Sequence, residues 1–123
     1  MGKHLLVIGL GGFLGSVGRY LTGFLVNKSW PSISILGTFA ANIIGCLLIG
    51  VFYGLYIKYE GFNNSWRLFL ATGFCGGYTT FSSFAFENTE MFQSGNYKTL
   101  IIYIMSSLII GVLAVFSGLL LTK

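Results

Sequence analysis

The sequence predicts an all-α membrane protein with four transmembrane helices in a single domain, residues 1–123. Hydrophobic residues make up 54% of the chain and charged residues only 8%, whereas a soluble domain carries about 25% charged residues. Four apolar stretches lie at residues 5–26, 33–57, 68–86 and 100–121, and each is close to the roughly 20 residues that cross a bilayer. None has the alternation typical of barrel strands. Four helices in contact with membrane lipid are therefore expected.

The segments between the spans are short, at residues 27–32, 58–67 and 87–99, so function is expected within the membrane or at its surfaces. The seven basic residues are dispersed along the chain, which argues against a nucleic-acid-binding surface. If the N-terminus is cytoplasmic, four basic residues lie on that side and two on the other: Lys3, Lys58, Arg67 and Lys123 against Lys28 and Lys98. This slight bias is compatible with insertion in both orientations and equally with one fixed topology.

Small residues recur four positions apart within the spans, as at Gly11 and Gly15 or at Gly50 and Gly54. In lipid, such spacing allows helix backbones to approach closely. The rows therefore predict tightly packed helices.

The third span contains a sequence that disfavours a continuous helix. Gly76 and Gly77 are followed by Thr79 and Thr80, and both glycine and β-branched threonine lower helix propensity. We predict a break near the middle of this span. A break at membrane depth exposes carbonyls that can coordinate an ion; a kink that serves packing alone is the alternative.

Polar side chains inside the other spans are costly unless they have a partner or a function. Arg19 in the first span either anchors the helix at the membrane surface or makes the mouth of a pore positive. Thr38 and Asn42 in the second span are four residues apart and share one helix face. Asn42 either joins two helices by a hydrogen bond or lines a pore as a donor.

Phe81 and Phe84 are three residues apart on one helix face, beside the hydroxyl groups of Thr80, Ser82 and Ser83. Because the edge of a phenyl ring is positively polarised, these groups together could replace part of the hydration shell of a small anion. Aromatic packing is the alternative. Tyr103 and Ser107 in the fourth span are four apart and either line the same path or form local hydrogen bonds.

Three segments together resemble the CrcB/Fluc family of fluoride channels: residues 11–20, 37–42 and 73–84. The resemblance covers essentially the whole chain, including its length and four-span layout. It implies a passive, fluoride-selective channel of the bacterial inner membrane through which cytoplasmic fluoride leaves. It also implies an antiparallel, dual-topology homodimer with two pores and a structural sodium ion at the dimer interface.

The resemblance further assigns roles to individual residues. Sodium would be held by the backbone carbonyls of Gly76 and Thr79. The predicted fluoride pore comprises Thr38, Asn42, Phe81, Phe84, Tyr103 and Ser107, with the hydroxyl groups of Ser82 and Ser83 added from the pattern above. Arg19 matches a vestibule arginine and Glu87 an acidic residue just beyond the phenylalanines. Tyr78 stands where many relatives have a smaller aliphatic residue.

Two other functions compete with this interpretation. A small multidrug exporter needs a carboxylate in its first span, and this chain has none there. A helix bundle that works only with partner proteins would use Asn42 and the glycines as contacts. An enzyme is not expected, since the only histidine is His4 at the terminus and no nucleophile and base are paired.

Overall fold

The computed structural model describes residues Met1–Lys123 and is helical throughout apart from short connections, with no strand. Its elements in chain order are α1 (Gly2–Ser29), α2 (Leu36–Lys58), α3 (Asn64–Arg67), a π-helix (Leu68–Cys75), α4 (Gly76–Tyr78), α5 (Phe81–Gln93) and α6 (Tyr97–Leu121). Three helices, α1, α2 and α6, are long and apolar enough to cross a membrane. The chain is accordingly a multi-pass membrane protein.

The third predicted span, residues 68–86, is not one continuous helix. The backbone is extended at Thr79, with ψ 157°, and at Thr80, with ψ 118°. Gly76 and Gly77 remain helical, so the break lies just after the two glycines. A Cβ on Gly77 would lie 3.1 Å from Cα of Gly12 on α1, which shows that this glycine serves close packing rather than the break itself.

The predicted connection at residues 87–99 was wrong in its first half, because α5 continues to Gln93. Asn88 and Thr89 donate side-chain hydrogen bonds to the carbonyls of Phe84 and Ala85, four residues earlier. The polar side chains are thus satisfied within a helix. The turn that follows contains Gly95 with φ 78°, a value that favours glycine.

Glycine contacts hold the helices together, as the spacing predicted. On α1, Gly15 faces the backbone of the segment before the break, where an added Cβ would lie 2.9 Å from the amide nitrogen of Tyr78. On α2, Gly50 faces Gly118 of α6, with 3.1 Å between the corresponding Cβ position and Cα of Gly118. Backbone atoms cannot move aside as a flexible side chain can. These contacts fix α1 against the broken segment and α2 against α6.

Candidate functional site

Asn42 of α2 holds the break in place. Its Oδ1 accepts a hydrogen bond from the Thr80 amide at 2.8 Å, and its Nδ2 donates to the Thr80 carbonyl at 3.2 Å. Of the two sequence alternatives, the helix-joining role of Asn42 is therefore present in the structure. An amide group has two N–H donors, so the second one remains for another acceptor.

The Asn42 contact changes which backbone carbonyls are occupied. In a continuous helix, the Thr80 amide would donate to the carbonyl of Gly76 and the Ser83 amide to that of Thr79. Here the Thr80 amide donates to Asn42, and the Ser83 amide donates to the Thr80 hydroxyl at 3.2 Å. The Gly76 and Thr79 carbonyls therefore lose their helical donors.

The carbonyls on either side of Gly76 are occupied. The carbonyl of Cys75 accepts both the amide and the hydroxyl of Thr79, at 3.0 and 2.8 Å. The carbonyl of Gly77 accepts Nε of Arg19 at 3.2 Å. The break thus leaves both carbonyls predicted as cation ligands available, and carbonyl oxygens are suitable ligands for a hard cation.

A groove of about 360 Å³ runs beside the break. Six of its lining residues were predicted as site residues: Asn42, Gly76, Thr79, Phe81, Phe84 and Ser107. The rings of Phe81 and Phe84 are 6.0 Å apart between centroids, inclined at 47°. Phe81 is 79% exposed on the single chain, so the groove opens toward the outside of the helix bundle.

Glu87 of α5 forms the second polar cluster. Its carboxylate accepts hydrogen bonds from the hydroxyls of Thr38 on α2 and Tyr103 on α6, both at 2.7 Å. Tyr103 is buried, and its ring contacts Phe84 at 5.0 Å and Phe39 at 6.3 Å between centroids. Both hydroxyl groups therefore donate their hydrogen bonds to the carboxylate. They could donate to an anion only if they no longer donated to Glu87.

A larger cleft of about 720 Å³ lies beyond this cluster. It is lined by Arg19 and Lys28 and also by Thr38, Thr80 and Glu87. Arg19 turns its Nε to the broken segment, and four of its five N–H donors are left for the cleft. Two cations against one acidic residue make the cleft attractive to anions.

Ser82 and Ser83 lie apart from the groove that contains the phenylalanines. They line a separate cleft of about 410 Å³ with Thr38, Glu87 and Glu90. The Ser82 hydroxyl is 3.2 Å from that of Thr80. The two serines therefore lie beside Glu87 and Glu90. They do not line the groove of Phe81 and Phe84, where the sequence pattern had predicted them.

Sequence reasoning missed two contacts. Thr80, which the sequence indicated only through its hydroxyl group and the predicted break, lines both the groove and the large cleft; its backbone bonds Asn42 and its hydroxyl caps α5. A threonine directly before a helix is a recognisable N-cap signal. The hydroxyls of Thr22 and Tyr78 are 2.7 Å apart. That contact joins residues 56 positions apart, so no local sequence pattern could predict it.

Comparison with known proteins matches the family model described as "CrcB-like protein, Camphor Resistance (CrcB)" to residues 6–119. Three similar proteins each carry the name "Fluoride-specific ion channel FluC". The protein from Azobacteroides pseudotrichonymphae is 42% identical over 98% of this chain and 97% of its own. Those from Flavobacterium psychrophilum and Phocaeicola vulgatus are 44% and 46% identical, covering 98% and 94% of this chain and 98% and 95% of their own. The resemblance in the sequence motifs is thereby confirmed, and the chain belongs to the CrcB/Fluc family.

Proposed function

We propose that this protein is a fluoride-selective channel of the bacterial inner membrane that lets fluoride leave the cytoplasm passively and so reduces its toxicity. The observation that carries the proposal is full-length similarity to proteins named fluoride-specific ion channels. Permeation of this kind needs no chemical reaction, only a path that replaces the water around the ion.

The site residues suit such a path. Arg19 and Lys28 would concentrate anions in the large cleft. Farther in, the available donors are neutral: the free N–H of Asn42, hydroxyl groups, and the ring edges of Phe81 and Phe84. Partial charges bind an anion strongly enough to admit it and weakly enough to release it. Small donors also favour fluoride over the larger chloride.

An antiparallel homodimer would complete the path. Phe81 is 79% exposed and the groove beside it is open on the single chain, so a second copy could supply the missing wall. The segment from α3 to α5 would provide the fourth crossing of the membrane, in two halves joined at the break. The weak charge bias between the two sides of the membrane is compatible with both orientations. Two equivalent pores would follow from the twofold symmetry.

A structural sodium ion is the proposed cofactor, held by the carbonyls of Gly76 and Thr79 from each subunit. The loss of their helical donors supports this assignment. Bound sodium would neutralise carbonyl dipoles that are otherwise unsatisfied at membrane depth.

The test is fluoride efflux from liposomes that contain this protein alone, with chloride-loaded liposomes as the control. Potential-driven fluoride release with little chloride movement is expected. Equal passage of chloride would contradict selectivity. Silence of well-folded protein would favour the partner-dependent bundle, for which Asn42 already provides an interhelical hydrogen bond.

A further inference from the structure

Tyr78 is the last residue of α4, directly before the break. It is 6% exposed, and its ring stacks on Phe74 at 5.6 Å between centroids with an interplanar angle of 12°. Its hydroxyl lies 2.7 Å from Oγ1 of Thr22 on α1. The ring therefore reaches across the helix contact and ends on a polar partner.

Two helices confine this residue. On α1, Arg19 lies three residues before Thr22, so both side chains leave the same helix face, and Arg19 holds the neighbouring Gly77 carbonyl at 3.2 Å. On α2, a Cβ at Gly45 would lie 3.3 Å from the Tyr78 ring. The last turn before the break is thus held from both sides.

Within the segment from Gly77 to Thr80, the amide and the hydroxyl of Thr79 donate to the Cys75 carbonyl at 3.0 and 2.8 Å. Arg19 fixes the start of this segment and Asn42 fixes its end. The Gly76 and Thr79 carbonyls have no helical donors, and the two residues between them are Gly77 and Tyr78. The separation and relative orientation of these carbonyls therefore depend on how firmly those two residues are held. Arg19 holds the Gly77 carbonyl, and Tyr78 is held through its side chain.

We propose that the Thr22–Tyr78 hydrogen bond positions the Gly76 and Thr79 carbonyls for sodium and thereby sets the sodium affinity of this chain. This inference rests on the sodium site proposed above. Thr22 and Tyr78 are positioning residues, since neither side chain is a ligand. Discrimination between cations depends on the number, spacing and rigidity of the oxygen ligands.

The experiment is thermal unfolding of the purified full-length protein in detergent, with NaCl replaced stepwise by choline chloride. Tyr78→Phe keeps the stacked ring and removes the hydroxyl, and Thr22→Val keeps the shape and removes the other partner. Each variant is expected to raise the sodium concentration needed for a given rise in melting temperature by at least about fivefold, the equivalent of one net hydrogen bond, since the proposed dimer loses one such bond in each subunit. The double variant should be no worse than either single one.

The matched controls are Tyr53→Phe, on the exposed side of α2, and Thr89→Val, which removes only a hydrogen bond within α5; both should leave the sodium dependence of the melting temperature unchanged. If a variant instead lowered the melting temperature by the same amount at every sodium concentration, the inference would be overturned, because that is the effect of a bond with a purely structural role. No sodium response in the unaltered protein would overturn both this inference and the sodium site. The liposome assay tests the fluoride channel separately from either result.

Discussion

Replacing Asn42 by alanine tests the contact on which the site depends. The substitution removes both hydrogen bonds to Thr80, at 2.8 and 3.2 Å, at a position where the backbone has left the helical ladder. An unsatisfied buried polar group costs about 1–3 kcal/mol, so two would cost about 2–6 kcal/mol. Because Thr80 is only partly buried, we expect the lower half of that range and a clear fall in melting temperature.

Fluoride efflux measured on the same preparation should fall with the melting temperature, because the break and the amide donor are lost together. Asn42→Asp separates these effects: it retains the acceptor for the Thr80 amide but sets a carboxylate oxygen against the Thr80 carbonyl, so efflux should be abolished. Asn64→Ala is the control, since Asn64 is exposed and bonds the side chain of Arg67. If Asn42→Ala matched the unaltered protein in both melting temperature and efflux, the argument for this contact would be refuted.

Three further predictions use the same assays. Phe84→Ile removes a ring edge from the groove and should sharply lower fluoride efflux while assembly stays intact. The control Phe116→Ile, at a residue 59% exposed on α6, should leave efflux unchanged. If the Phe84→Ile variant conducted fluoride as fast as the unaltered protein, the aromatic contribution would be refuted. Tyr103→Phe keeps the ring contacts and removes the hydrogen bond to the Glu87 carboxylate. A hydrogen bond to a charged group is worth about 1.5–3 kcal/mol, so the variant should be less stable and conduct less fluoride. Unaltered stability and efflux would count against a role for the cluster around Glu87. Gly15→Ala would place a Cβ against backbone atoms and should lower the stability of the folded protein by about 1–3 kcal/mol. Gly9→Ala is the control, because no atom lies within 4 Å of the added Cβ. Equal melting temperatures for the two variants would contradict the packing argument.

Composition and apolar length were sufficient to predict the three continuous spans and the apolar region that contains the break. They could not predict where the third span breaks. The position depends on Asn42, 38 residues before Thr80, whereas Gly77, which packs against Gly12 of α1, stays helical. Helix propensity disfavoured the glycines and the threonines alike, because it contains no information about such distant partners.

The candidate site was predictable to a similar depth. Periodicity placed Thr38 and Asn42 on one face of α2, yet the structure gives them different partners, Glu87 and Thr80. Because the break separates those partners, one face of α2 lines separate cavities: Asn42 lines the groove, and Thr38 lines the two clefts. Helical spacing determines which side chains point together, and only the tertiary fold determines what they meet.

The geometry of the break links the two proposed ion sites. The Oδ1 atom of Asn42 accepts the Thr80 amide that a continuous helix would direct to Gly76, so the bond that orients the pore amide is also the bond that frees a cation ligand. Anion conduction and sodium binding should therefore not be separable at this residue. A change at Asn42 that restored the helical bond would occupy the Gly76 carbonyl, the proposed cation ligand, and would turn the proposed anion donor away, so both proposed sites depend on this one contact.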